Sequence, residues 1–242
     1  MSIPKKIHYC WFGHGQFTDL ALNCINSWKK HLSEYELILW NEDNFDININ
    51  QYVKEAYEAK KYAFVTDYVR LYVLYYYGGI YMDTDVEVLK PFDRFLNNYF
   101  FIGCEKDDLI QTGLIGSIPK HNVVKKILSY YDNKRFILED GSLNLLPNPK
   151  VFTPILSEDY GWFPKNTYQS LSDGIKVYPI DYFCAKDWKT GEIFKSENTY
   201  AIHHYSGSWH TKTDKIKNKI KNIIGSKGTQ FVVSVKKKIK GS

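Results

Sequence analysis

The chain reads as an α/β protein built on a mainly parallel sheet flanked by helices. Three observations predict it. Short runs of apolar, β-forming residues alternate with longer segments whose apolar residues recur at helical spacing. One long apolar helix stops at a Gly-Gly pair and the chain returns at once as a strand. The length of 242 residues, 44% of them hydrophobic, suffices for one sizeable core and makes two folded domains a stretch.

The elements follow in order. Lys6 to Phe12 reads as a first buried strand, entered through Pro4 and opening into the loop Gly13-His14-Gly15. Asp19 to His31 carries Leu22, Ile25 and Trp28 at helical spacing, and Tyr35 to Trp40 forms the second strand, ending at Asn41. Gln51 to Lys61 is polar and helix-prone. Phe64 to Tyr77 is a long apolar helix interrupted by Thr66, Asp67 and Arg70; Gly78 and Gly79 stop it, and Ile80 to Asp85 is the returning strand. Phe100 to Cys104 and Leu114 to Ile118 are two further short strands with a turn at Gln111 to Gly113. Asn122 to Tyr131 covers them as a helix, Leu145 to Thr153 reads as a proline-containing loop, and Ile175 to Phe183 and Tyr200 to Tyr205 are late strands.

Lengths place the helix-to-strand segment's polar residues together. The helix from Asp67 to Tyr77 descends roughly 15 Å and the strand from Ile80 climbs back roughly 16 Å. Asp67 and Arg70 therefore belong at the same sheet edge as Asp83 and Asp85, the carboxyl edge where open α/β sheets bind ligands. On a strand, Asp83 and Asp85 share a face. Two such carboxylates form an all-oxygen half-site for Mg²⁺ or Mn²⁺ that leaves room for water and phosphate oxygens.

Around them runs a longer pattern: Ala63, Thr66, Asp67, Arg70, then Gly78, Gly79, Tyr81, Asp83 and Asp85. This pattern resembles the DXD-containing sugar transferases of bacterial capsule and lipopolysaccharide synthesis, their relatives among yeast initiating mannosyltransferases and, distantly, the glucosylating domain of large clostridial toxins. The resemblance implies a GT-A type nucleotide-sugar fold over residues 1–213 and transfer of a sugar, with retention of configuration, from a nucleotide-diphosphate donor, UDP-sugar favoured, to a glycan acceptor. It implies that Asp85, with Asp83, holds the metal, that Asp67 and Arg70 bind donor-sugar hydroxyls, and that Tyr81 belongs to the donor-binding set. Composition leaves Trp11 open between a core ring and an exposed platform; the resemblance assigns it to the base. Asn41 is either a ribose or base contact or the cap of its turn. In the stretch HHYSGSW, adjacent histidines on a strand face opposite sides, so at most one of them can easily face the Asp83–Asp85 site; the resemblance implies that a histidine here completes the metal shell, favours His204 with His203 still open, and takes Trp209 to the β-phosphate or the glycosidic oxygen. Thr112 stands near where relatives often carry an Asn, and Asn148 replaces a loop glycine.

Charge is uneven. Nine lysines and no acids follow position 214, which leaves the formal +5 of the whole chain as −4 on residues 1–214. A folded basic face for nucleic acid is not what this describes. Residues 214–242 read instead as a basic amphipathic tail, Ile216, Ile220, Ile223 and Ile224 forming a stripe between lysines, suited to an anionic membrane surface. With no apolar leader and no spanning run, the expectation is a cytoplasmic protein, peripheral on the inner face of the membrane, acting on a lipid-linked glycan. Cys10, Cys24, Cys104 and Cys184 lack metal-binding spacing and read as reduced thiols. The rival readings are a metal-dependent sugar nucleotidyltransferase, against which Gly13-His14-Gly15 makes a poor phosphate loop, and a non-catalytic module binding sugar nucleotides or a membrane surface.

Overall fold

A computed structural model describes residues 1–206. The elements are β1 (Lys6–Cys10), α1 (Asp19–His31), β2 (Glu36–Trp40), α2 (Gln51–Glu58), α3 (Tyr62–Tyr77), β3 (Gly79–Met82), β4 (Val86–Val88), β5 (Phe100–Lys106), β6 (Leu109–Ile110), β7 (Leu114–Ser117), α4 (Asn122–Ser129), α5 (Asn148–Tyr160), β8 (Gln169–Ser170), β9 (Ile175–Tyr178), α6 (Ile180–Phe183) and β10 (Ala201–His203).

Eight strands form the main sheet in the order β2-β1-β3-β7-β5-β9-β8, with β6 on β5. Five of them, β1, β2, β3, β5 and β9, point the same way, and β7 runs antiparallel between β3 and β5. The α/β, mainly parallel expectation is met. Because β7 reverses the direction twice, the ends of β3 and β5 reach the same edge of the sheet. A second, two-stranded sheet pairs β4 with β10, setting His203 opposite Val86.

Local chemistry accounts for the helices. Thr18 caps α1 by accepting from the Ala21 amide at 3.2 Å, and Asn50 caps α2 by accepting from Val53 at 2.9 Å. Helix α3 buries Val65, Val69, Leu71, Val73 and Leu74 completely, since it is enclosed by α2, α4, β1 and β3. Each such side chain contributes about 1.5 to 3 kcal/mol of burial, which offsets the missing side-chain cap at its start. Gly79, at φ +106, could not carry a Cβ, which would stand 2.8 Å from the Lys6 carbonyl oxygen. The return from helix to strand therefore depends on glycine there.

Three expectations change. The strand after Gly79 ends at Met82 instead of running through Asp85: Asp83, Thr84 and Asp85 make a turn closed by the Val86 amide on the Asp83 carbonyl at 3.0 Å. Asp favours such turns because its short side chain bonds locally. The chain after Ile175 leaves the sheet at Tyr178, since Pro179 has no amide for the ladder, and Ile180–Phe183 is a short helix. The proline-containing stretch read as a loop starts α5 at Asn148, where Pro149 fits the first turn because its missing amide is not required there. The 213/214 domain boundary, the basic tail and Trp209 lie outside the described residues.

Candidate metal and donor site

Asp83 and Asp85 converge because of the turn, not because of strand pleating. The Asp83 amide donates to the Gly113 carbonyl at 2.8 Å, holding the turn against the start of β7. From the other side, α1 fixes β4: the Trp28 indole donates to the Val86 carbonyl at 2.7 Å and the Val88 amide to the Ser27 hydroxyl at 2.9 Å. Strand β10 then carries His203 to the turn. Its Nε2 lies 3.2 Å from Asp85 Oδ1 and 3.9 Å from Asp83 Oδ2. Each of the three residues offers one ligand atom, and these atoms fall within 4.8 Å of one another.

His204 does not join them. It sits on the opposite face of its strand end, where Nε2 lies 2.9 Å from Glu87 Oε2 while its amide donates to the Asp85 carbonyl at 2.9 Å. The histidine facing the two aspartates is thus His203, and the preference for His204 is corrected. One residue of phase decides it, since neighbouring residues of an extended chain face opposite ways.

The donor set makes this cluster a candidate cation site. Burial alone would depress the His203 imidazole, yet Asp85 overrides burial and holds it well above its ordinary value of 6.5. Among the described residues no group stands in ordinary hydrogen-bond geometry to the buried His203 Nδ1; the Cys184 thiol lies beside the ring and favours its charged form. A divalent cation satisfies two carboxylates and one imidazole nitrogen better than a proton does. The donor set and its spacing fit Mn²⁺ or Mg²⁺ with positions left for other oxygens.

Asp67 and Arg70 form the floor. Arg70 Nη2 lies 2.9 Å from Asp67 Oδ1 and 3.4 Å from Asp83 Oδ1, Nη1 donates to the Thr112 carbonyl at 2.5 Å, and the guanidinium stacks 4.7 Å from the Tyr81 ring centroid. Tyr81 itself donates to Asp83 Oδ1 at 2.6 Å. Burial pushes the Asp67 carboxyl up, with Arg70 pulling it down and Asp83 reinforcing the rise. Arg70 is only 5% exposed and bonded to protein groups on three sides. It bridges Asp67 and Asp83, and Asp67, 8% exposed, is nearly as buried as Arg70 itself. Asn148 supports the same floor, donating through Nδ2 to the Asp67 carbonyl at 3.0 Å and accepting from the Tyr131 hydroxyl at 2.5 Å.

Trp11 and Asn41 stand side by side along the same edge, past the ends of β1 and β2, joined by the Trp11 amide on the Trp40 carbonyl at 3.0 Å. The Trp11 indole is half-buried, donates to the Gly15 carbonyl at 2.6 Å and lies 4.7 Å from the Phe17 ring. Asn41 is spent within its own turn: Oδ1 accepts from the Asp43 amide at 3.0 Å and Nδ2 donates to Asp43 Oδ2 at 3.1 Å. Of its two readings, the turn cap is the one the contacts describe.

Sequence reasoning missed Gly113 and Cys10. A Cβ on Gly113 would stand 2.9 Å from His203 Cε1 and 3.0 Å from Asp83 Oδ2, so the cluster closes only over a bare backbone. The buried Cys10 thiol is pushed up by burial and feels both Arg70 and Asp83. Neither is marked by a motif; each is found only once β1, β3 and β7 are neighbours.

Residues 18–102 match the model described as the glycosyltransferase sugar-binding region containing DXD motif. The chain carries this DXD region. Its match holds the Thr66 to Asp85 pattern whole, while His203 lies beyond it. Inositol phosphoceramide mannosyltransferase 1 of Schizosaccharomyces pombe is 30% identical over 112 residues, 42% of this chain and 34% of that protein. The chain thus spans about a third of that relative. An uncharacterized glycosyltransferase, L373, of Acanthamoeba polyphaga mimivirus is 27% identical over 232 residues, 88% of this chain and 87% of that protein. Among solved structures, PaToxG glycosyltransferase is similar over 65% of this chain and 69% of its own, with 19% identity and a TM-score of 0.48.

Proposed function

We propose that the chain is a metal-dependent glycosyltransferase of GT-A type that moves a hexosyl unit from a UDP-sugar to a glycan acceptor with retention of configuration. The observation that carries this reading is the convergence of Asp83, Asp85 and His203 within 4.8 Å at the carboxyl edge of the sheet, inside and beside a DXD sugar-binding region. The two carboxylates suit Mn²⁺ or Mg²⁺. A cation held there supplies charge neutralisation for the diphosphate leaving group.

The chain's own residues do the rest. Arg70 and Tyr81 fix Asp83, Asp67 receives donor-sugar hydroxyls, and Trp11 offers its ring face to the base. Among the described residues no carboxylate is placed as an evident nucleophile for double displacement, and a front-face route, in which the departing phosphate takes the acceptor's proton, suits this electrostatic site. A lipid-borne acceptor is in keeping with relatives named for inositol phosphoceramide mannosylation, and a place in surface-polysaccharide synthesis rests on the resemblance of the sequence pattern alone. A cytoplasmic enzyme held at the membrane by the basic tail is part of the same reading and rests on sequence alone. The test is a panel of UDP- and GDP-sugars assayed for hydrolysis and transfer with Mn²⁺ and with chelator. Mn²⁺-dependent turnover of at least one UDP-sugar is expected; no turnover across the panel overturns the reading.

A further inference from the structure

Strand β10 ends at His203, and the Tyr205 ring, two residues on, packs against its imidazole: the ring centroids lie 4.2 Å apart and the planes are inclined by 30°. A regular strand does not bring such rings together. At about 3.3 Å per residue, positions two apart on one face of a strand stand about 6.6 Å from each other. The chain closes that gap by turning. Tyr205 adopts φ +53, in the left-handed region that a residue with a bulky side chain seldom occupies.

Such a conformation persists only where the surroundings impose it, and it gathers at sites where a side chain has to be aimed. Here the backbone leading into the turn is held from two sides. The His204 amide donates to the Asp85 carbonyl at 2.9 Å, and the His204 carbonyl accepts from Lys186 Nζ at 3.2 Å. Both are main-chain contacts, independent of the His204 side chain. The Tyr205 hydroxyl is not the anchor: it is buried, no group among the described residues stands in ordinary hydrogen-bond geometry to it, and the Cys184 thiol beside it is a weak partner. What the turn delivers is the ring.

The imidazole has need of one. A histidine that ligates a metal ordinarily has its ring fixed by a hydrogen bond at the nitrogen facing away from the metal. His203 presents Nε2 to Asp85 and Asp83, while Nδ1 has only the Cys184 thiol by it and no group in ordinary hydrogen-bond geometry among the described residues. Left to itself, an imidazole turns about χ2 with broad, roughly two-fold freedom. Gly113 bounds one edge of the ring, since a Cβ there would stand 2.9 Å from Cε1 and 3.1 Å from Nδ1. Tyr205 bounds the face.

We infer that Tyr205 is a positioning residue for the cation site, its ring packing on the His203 imidazole and holding Nε2 toward Asp83 and Asp85. The inference rests on the cation reading of the cluster and on nothing about the sugar transferred.

The experiment is calorimetric titration of Mn²⁺ into the full chain and into Tyr205→Phe, Tyr205→Asn and Tyr205→Leu, each checked by circular dichroism. Asparagine tolerates the left-handed backbone but lacks the ring, and leucine fills space without a flat face. Tyr205→Phe is expected to bind within twofold of the parent and the two ringless variants about tenfold more weakly, the scale of losing a contact that orients a metal ligand. Added to His203→Ala, Tyr205→Asn is expected to change nothing further, because a residue that acts through His203 has no effect once that ring is gone. Parental affinity in the ringless variants overturns the role, as does an equal loss in Tyr205→Phe or a full further loss on top of His203→Ala. Loss of native circular dichroism in both ringless variants makes Tyr205 a residue of the fold and overturns it as well. A parent chain that binds no Mn²⁺ removes the cation site and this role together, whereas a parent that binds beside equally binding ringless variants removes the role alone.

Discussion

Two buried histidines stand on different sheets, His8 on β1 of the main sheet and His203 on β10 of the two-stranded sheet. His203, at the carboxyl edge, faces two carboxylates through Nε2, and among the described residues only the Cys184 thiol lies by its ring, with no group in ordinary hydrogen-bond geometry to Nδ1. His8, on β1, is fully satisfied: Nδ1 accepts from the Trp40 indole at 3.0 Å, and Nε2 lies 2.8 Å from the Gly78 carbonyl. Those two partners fix the tautomer with the proton on Nε2, donated to Gly78. Burial drives the His8 imidazole down to about 4, whereas Asp85 holds His203 well above 6.5. Burial is shared, so burial does not separate structure from function here. The difference is completeness: one ring closes a joint between strand and helix end, the other leaves a site that a cation completes.

The contrast can be broken most forcefully at the acids. Asp85→Ala and Asp83→Ala are each expected to lower Mn²⁺-dependent turnover of the donor at least about 100-fold, the scale of losing a major electrostatic contact to the transition state. Turnover at parental rate in either, with native circular dichroism, would remove the cluster from the chemistry. In the main sheet, His8→Ala leaves a buried indole N–H and a buried carbonyl unpaired and should cost about 2 to 4 kcal/mol in urea unfolding. Mn²⁺ affinity of the folded His8→Ala protein should be unaltered, and a parallel loss of metal binding would show the two places to be coupled.

The acid dependence of stability sharpens the same point. Because the folded pKa of His8, about 4, lies below the ordinary 6.5, the unfolded chain takes up a proton across that window that the folded chain refuses. Its contribution is therefore present above pH 6.5 and is lost as pH falls toward 4, by up to about 3 kcal/mol. Urea unfolding at pH 7, 5.5 and 4.5 should show a decline that is shallower in His8→Gln; identical slopes would deny His8 this role. A smaller effect is expected at Gly113→Ala, whose methyl would press on His203 and Asp83. Mn²⁺ affinity should fall about tenfold with the fold retained, and an unchanged affinity would mean that the backbone there moves aside freely.

The sequence made the first of these regions legible and concealed the second. Asp67, Arg70, Asp83 and Asp85 were placed at one edge by rise per residue alone, and Arg70 does reach Asp83 at 3.4 Å. Helix α1 runs from Asp19 to His31 as its apolar spacing required. The reason given for the pairing of the aspartates was nevertheless wrong, since a turn and not a pleat sets their side chains together. Long-range partners were invisible: His8 against Gly78, Gly113 against His203 and Asn148 against Asp67 meet only through strand order, which periodicity does not encode. His203 and His204 differ by a single residue of register, finer than a strand boundary read from composition.

The central claim, that Asp83, Asp85 and His203 together hold a divalent cation, is tested most directly by calorimetric titration of Mn²⁺ into the full chain, His203→Ala and His204→Ala. The account predicts one site in the unaltered chain, affinity lowered at least about tenfold in His203→Ala, and binding within twofold of the parent in His204→Ala. Equal affinity in the parent and His203→Ala, or a loss confined to His204→Ala, would contradict it.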